Sequence, residues 1–192
     1  MRSTFRSLLL PAVILTGLFL LLSLPGMAEE SMLISIGPRL GFTGKTPFMG
    51  KEQKHNFHLT DLAATWRLPW SLALGDDGSW KVETRLITSA GHLAAASERG
   101  FIGTVVPCLA LSGWNGLISL DGGGGAGFFS RDTFGIQDFG GPVQIVATVG
   151  VTVNPISHAF AGFRAQHFSD AGLYGPSSLG VDLYIVEAGY RF

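Results

Sequence analysis

From Val143 to Val153 every odd position is apolar, and the residues between them include Gln144, Thr148 and Thr152. Successive side chains of an extended strand point to opposite faces, so this segment has one apolar face and one polar face. The pattern recurs elsewhere. Trp80, Val82 and Leu86 alternate with Lys81, Glu83 and Arg85, and near the C-terminal end Tyr184, Val186, Ala188, Tyr190 and Phe192 share one face while Glu187 and Arg191 share the other. Eight such segments fall near 31–42, 57–68, 79–91, 100–112, 117–129, 142–153, 158–170 and 181–192, divided by clusters of Gly, Pro, Asn and Asp. Most have about the ten residues that a tilted strand uses to cross a bilayer. No helical repeat or linker interrupts the series, so one domain is expected over 29–192.

Alternation by itself also fits a soluble sandwich, whose charged residues face water and whose apolar set forms a core. Other features decide between the two. Mean hydropathy is +0.35, yet beyond Ala28 no run of 18 apolar residues occurs, which argues against a helical membrane span. Only helices and closed barrels satisfy every backbone group in lipid. Connections alternate in length: those near Asp76-Asp77-Gly78, Trp114-Asn115-Gly116 and Asn154-Pro155 are mostly tight, and those at 43–56, 91–99, 122–141 and 171–180 mostly longer. Short periplasmic turns and longer outer loops are the habit of outer-membrane barrels. The closing Gly189-Tyr190-Arg191-Phe192 resembles their C-terminal signature. At the other end, Arg2 and Arg6 precede an apolar stretch from Leu8 to Leu22 and small residues at Gly26-Met27-Ala28, a pattern that reads as a secretory signal peptide over 1–28. The expectation is an all-β chain: an eight-stranded antiparallel transmembrane β-barrel in the bacterial outer membrane.

One hairpin breaks its own apolar stripe. In the seventh segment Ala159, Ala161, Phe163 and Ala165 form the apolar face, and period two carries His167 and Ser169 onto it. In the eighth, Asp182 shares parity with Tyr184, Tyr190 and Phe192. With both termini in the periplasm, all three polar residues lie toward lipid at the outer rim. Polar side chains there are costly unless they lie at the interface or serve a function. Pairing of His167 with Asp182 would bring their Cβ atoms within about 5.5 Å. Asp182 would then orient the imidazole, His167 accept the hydroxyl proton and Ser169 attack an ester carbonyl. Backbone N–H groups near Ala171 and Gly172 are candidate oxyanion donors.

His167-Phe168-Ser169-Asp170-Ala171-Gly172, with Pro176, Gly180, Asp182 and the closing Gly189-Tyr190-Arg191-Phe192, resembles the PagL-type lipid A 3-O-deacylase family. The resemblance implies an eight-stranded outer-membrane barrel with a Ser-His-acid triad on its outer wall, hydrolysing the 3-position acyl ester of lipid A without metal or cofactor. It implies His167 as base, Ser169 as nucleophile and Asp182 as acid member, with Ser177 beside Ala171 and Gly172 among the oxyanion or substrate contacts. The motif covers about the last thirty residues. The family commonly has Asn where this chain has Asp170 and Ser177, and commonly Glu for the acid, one residue closer.

Other features point away from other chemistries. Net charge is −1, without the basic surplus that nucleic acid requires. Cys108 is the only cysteine, and His55, His58, His92 and His158 do not cluster with acids or Cys at metal-ligand spacing. The Gly122–Gly127 run lacks the Lys-Ser/Thr of a phosphate loop and instead suits a bent strand or outer loop. Lys45, Lys51 and Lys54 lie in the first long connection, where they meet either solvent or lipopolysaccharide phosphates. Lys81, Glu83, Arg85, Arg164 and Glu187 are expected to fill the lumen, since barrels of this size are packed. The expected partners are lipid A or lipopolysaccharide and outer-membrane lipid, with a homo-oligomer left open. A non-enzymatic barrel with a structural or adhesive role explains the alternation equally well, and an esterase acting on phospholipid is a third reading.

Overall fold

The computed structural model describes residues 32–44, 53–75, 79–175 and 179–192. The expected signal peptide over 1–28, Lys45, Lys51, the turn at Asp76-Asp77-Gly78, Pro176 and Ser177 lie outside them. The strands in chain order are β1 (Leu33–Phe42), β2 (His58–Leu74), β3 (Trp80–Ala95), β4 (Glu98–Gly113), β5 (Ile118–Phe129), β6 (Thr133–Phe134), β7 (Gln137–Asp138), β8 (Val143–Ile156), β9 (Ala159–Ser169) and β10 (Val181–Arg191). Among the described residues the eight long strands form a closed antiparallel barrel, and β6 and β7 form a separate short hairpin.

The ladder fixes the stagger of the barrel. From Tyr184 one row of partners runs through Phe42, His58 and Ala94 to Arg99. In the other direction it runs through Ala165, Val149 and Gly122 to Leu109. The two ends meet on β4 ten residues apart. For eight strands that offset corresponds to a strand tilt of about 40°, and it makes every row climb the wall from one strand to the next.

Period two sorts the side chains as the sequence suggests. Leu40, Leu62, Leu109, Leu120, Val149, Phe163 and Val186 are exposed on the outside, giving the apolar band of a transmembrane barrel. Near the end where β10 finishes, Trp70, Trp114, Tyr190 and Phe192 are exposed aromatics, the composition of an interfacial girdle. The inside divides in two. Its half toward that end is polar: Glu83 pairs with Arg85 and, at 2.8 Å, with Lys81, while Arg164 pairs with Asp121 at 2.7 Å and Glu187 at 3.5 Å. These groups surround a cavity of about 240 Å³. Farther along, Arg39 donates to both carboxylate oxygens of Asp61 at 2.8 and 2.5 Å, both side chains being 1% exposed. Fixed opposite charges satisfy one another where water is scarce.

The other half is an aromatic plug. Phe57, Phe129, Phe134, Phe139 and Phe168 are buried and meet edge to face with ring centroids 5.0 to 6.0 Å apart. Phe134 and Phe139 belong to or follow the β6–β7 hairpin, which therefore folds into the mouth. The buried Gln137 holds it there: its amide donates to the Gly180 carbonyl at 2.9 Å, and its oxygen accepts from the Lys54 N–H at 3.0 Å.

Two connections differ from the sequence reading. The segment 91–99, read as a longer loop, is mostly strand: β3 and β4 pair up to Ala95 and Glu98. Ala96 and Ser97 alone make the turn, with φ of 51° and 61°, the left-handed pair that matches hairpin twist. The connection read over 122–141 begins only after Phe129, so the glycine run takes the strand alternative of its two readings. A Cβ on Gly123 would lie 2.0 Å from the Pro107 carbonyl oxygen, so only glycine lets β5 approach β4 this closely.

Candidate active site on the outer wall

His167 and Asp182 are direct partners across the β9–β10 ladder. Both point outward, because the inward positions of these strands are taken by Arg164, Gln166, Phe168, Val181, Leu183 and Ile185, all buried. His167 Nδ1 and Asp182 Oδ1 are 2.5 Å apart. A carboxylate only accepts, so Nδ1–H donates and the tautomer leaves Nε2 as the basic nitrogen. Asp182 is 1% exposed and His167 9%, so the pair is sheltered within the wall although it faces out. A charged hydrogen bond held from solvent is stronger than one in water.

Ser169 continues the same face two residues beyond His167, which sets their Cα atoms roughly 7 Å apart. Its partner on β8 is Ile145, and that of His167 is Ala147. Two small side chains, Ala147 across the ladder and Ala165 two residues back, flank His167 on this face. Among the described residues Ser169 Oγ makes no hydrogen bond to His167, so a side-chain rotation precedes any proton transfer between them.

The turn after Ser169 is built by Asp170. Its carboxylate accepts from the Gly172 N–H at 3.0 Å and the Tyr174 N–H at 2.9 Å, and its carbonyl accepts from the Leu173 N–H at 3.0 Å. An Asp side chain bonding the backbone two residues on is a common turn device. Ala171 and Gly172 take φ of 51° and 81° within it. The Gly172 N–H, an expected oxyanion donor, is thus directed at Asp170 instead. Ser177 lies outside the described residues.

Gly180 is the contribution that residue-type reasoning misses. A Cβ there would stand 2.5 Å from the Phe168 carbonyl oxygen and 3.0 Å from His167 Cε1. The chain entering β10 therefore rests directly on the imidazole. Gln137 bonds to the Gly180 carbonyl, and the Leu179 N–H donates to the Asp138 carbonyl at 2.8 Å. The plug hairpin and the His–Asp pair are in this way mechanically joined. Gly180 forms part of the motif quoted above, but nothing in the sequence says that it packs against a ring.

These features define a membrane-spanning barrel that carries a polar constellation on its lipid-facing wall. The sequence pattern of the family described as Lipid A 3-O-deacylase (PagL) matches residues 36–191, and the chain belongs to that family. The fold is similar to that in the crystal structure of the outer membrane enzyme PagL, with a TM-score of 0.66 and 18% identity over 82% of this chain and 99% of that one. The attachment invasion locus protein Ail of Yersinia pestis aligns with a TM-score of 0.48 and 19% identity over 86% of this chain and 100% of that one. No curated protein sequence matches the chain. Family membership and the closed barrel together make this an outer-membrane β-barrel.

Proposed function

We propose that the protein hydrolyses the 3-position acyl ester of lipid A, with Ser169 as nucleophile, His167 as general base and Asp182 as the group that orients and stabilises the imidazole. The observation that carries this reading is the sheltered His167–Asp182 hydrogen bond on the outward face, with Ser169 two residues along the same strand. The family to which the chain belongs supplies the ester and its position.

The chemistry follows from the geometry. Ser169 rotates toward His167, loses its proton to Nε2 and attacks the ester carbonyl. Asp182 holds the resulting imidazolium. The tetrahedral oxyanion needs donors. With the Gly172 N–H engaged by Asp170, the Ala171 N–H at the start of the same turn is the backbone group assigned here. His167 returns its proton to the sugar hydroxyl as it leaves, and water then hydrolyses the acyl-serine by the same base. A lipid-facing site needs no cleft, because the acyl chains of the substrate already lie along the wall. Residues 1–28 serve export, by the reading of Arg2, Arg6 and the apolar stretch after them.

The test is deacylation of lipid A by purified protein in detergent, followed by mass spectrometry. Ser169→Ala and His167→Ala should each lose turnover while the barrel keeps its heat-modifiable migration. Loss of one hydroxyacyl chain from the 3-position is the expected wild-type product. Full activity in both variants would refute the assignment.

A further inference from the structure

The chain that leaves Ser169 returns to the barrel at Tyr174. Its ring lies on Gly141, just ahead of β8. A Cβ on Gly141 would stand 2.5 Å from the ring carbon Cζ and 2.7 Å from Cε1 and Cε2, so only glycine admits the hydroxyl-bearing end of the ring there. Gly141 is buried, and its carbonyl accepts from Gln144 Nε2 at 2.7 Å. The same Nε2 donates to the Phe139 carbonyl at 3.1 Å, which ties this seat to the aromatic plug. The Tyr174 N–H donates to the Asp170 carboxylate at 2.9 Å. Tyr174 is therefore held both at its backbone and at the far end of its ring.

The ladder places its hydroxyl beside the serine. The Val143 N–H donates to the Tyr174 hydroxyl oxygen at 3.3 Å. Successive residues of an antiparallel strand direct their backbone groups to opposite neighbours. The Phe129 N–H donates to the Pro142 carbonyl at 2.7 Å, so residue 142 faces β5 and Val143 faces the β9 side. On that side Ala147 pairs with His167 and Ile145 with Ser169. The next pair would set Val143 opposite Ala171, but β9 ends at Ser169 and the chain turns away. The phenol oxygen takes the vacated place. One such step along the strand is about 7 Å. His167 lies one step from Ser169 in one direction, and the phenol oxygen about one step in the other.

The hydroxyl is free to donate. Its oxygen accepts from Val143, so the O–H hydrogen is not used in that bond, and among the described residues it has no acceptor. A donor about 7 Å from the serine Cα leaves room for the serine side chain, a carbonyl oxygen on the carbon it attacks, and one O–H···O bond of about 2.7 Å. A phenol is a suitable partner for a developing oxyanion. The N–H behind it strengthens the donation, since hydrogen bonds in a chain polarise one another.

We propose that the Tyr174 O–H is an oxyanion donor for the ester attacked by Ser169, placed opposite His167 and beside the Ala171 N–H. This rests on the reading of Ser169, His167 and Asp182 given above. The phenol keeps its proton throughout. As Ser169 Oγ bonds to the carbonyl carbon, the carbonyl electron pair moves onto the oxygen and is held by the O–H; it returns when the bond to the sugar oxygen breaks.

The test is initial-rate deacylation of lipid A by full-length protein in detergent micelles. Tyr174→Phe keeps the ring on Gly141 and removes only the hydroxyl. It should lower kcat by about 10²-fold, the loss that follows removal of one oxyanion donor, with KM within twofold and heat-modifiable migration unchanged. A kcat within twofold of wild type, or a raised KM with kcat kept, would overturn the proposal. A hydroxyl that only anchors the loop would also be missed in Tyr174→Phe, and fluorination of the Tyr174 ring beside the hydroxyl separates the two roles. It makes the phenol a better donor and a poorer acceptor. Below the pH at which the fluorinated phenol ionises, donation to the oxyanion predicts kcat at or above wild type. A fall in kcat there would mean that the bond from Val143 is what matters, and would overturn the proposal. Ser169→Ala distinguishes this from failure of the catalytic reading. Turnover retained in Ser169→Ala refutes the site itself, whereas turnover lost there but kept in Tyr174→Phe refutes the tyrosine alone.

Discussion

Replacing Gly180 by alanine places a methyl carbon where the chain entering β10 rests on β9. The methyl would lie 2.5 Å from the Phe168 carbonyl oxygen and 3.0 Å from His167 Cε1. Carbon normally comes no closer to a carbonyl oxygen than about 3.3 Å, so the two segments must separate by about 0.8 Å. Phe168 is buried in the aromatic plug, and the Gly180 carbonyl is tied to Gln137. The imidazole, the neighbour of Gly180 that the plug does not anchor, therefore yields. A misplacement of about 1 Å can cost 10²-fold in rate, which corresponds to about 2.7 kcal/mol of transition-state stabilisation. Gly180→Ala should therefore lower kcat for lipid A deacylation by about 10²-fold, with KM nearly unchanged because no substrate contact is removed. The assay is initial-rate deacylation by purified protein, run beside heat-modifiability on gels to establish that the barrel is folded. A folded Gly180→Ala protein with kcat within twofold of wild type would refute the claim that this contact positions His167.

Asp61→Ala would leave the Arg39 guanidinium without its carboxylate inside the lumen, and a lone buried charge costs about 3–5 kcal/mol. The urea midpoint in detergent should fall accordingly, and the paired change Arg39→Met with Asp61→Leu should recover most of the loss; an unchanged midpoint in Asp61→Ala would contradict the packing described. Asp170→Asn removes a negative charge next to Ser169 and keeps only one acceptor for the two N–H groups of the turn. Deacylation by this variant should rise several-fold, measured as kcat on lipid A, and a fall in kcat would show that the carboxylate supports the turn more than it opposes the developing oxyanion.

The barrel is legible in the sequence because its rule is short. One face of each strand meets lipid and the other a packed lumen, so a period of two repeated over eight segments carries the architecture. The same rule puts His167, Ser169 and Asp182 on one face before any register is known. The features that stay hidden lack periodicity. Ala94-Ala95-Ala96 shows no alternation, so the β3–β4 hairpin reads as loop, and its turn residues Ala96 and Ser97 are not the glycine or asparagine usual at positive φ. The β6 and β7 strands are two residues each, too short for a pattern, and Phe134 and Phe139 look like loop residues until the plug assembles around them. Asp121, which pairs with Arg164, stands at the head of a glycine run that offers no face to read. Hydrogen bonds between distant loops, such as that of Gln137 to Gly180, depend on the closure of the barrel and have no local signature.

The His167–Asp182 pair opens away from the lumen, which the plug closes. On the proposed reading, substrate reaches this pair by lateral diffusion within a leaflet, in two dimensions. Its rate then follows the surface mole fraction of lipid A, and diluting the substrate with inert lipid or detergent slows the reaction even when bulk concentration is held constant. Competitors are likewise other amphiphiles in the same film, and soluble analogues without acyl chains have little access to the serine.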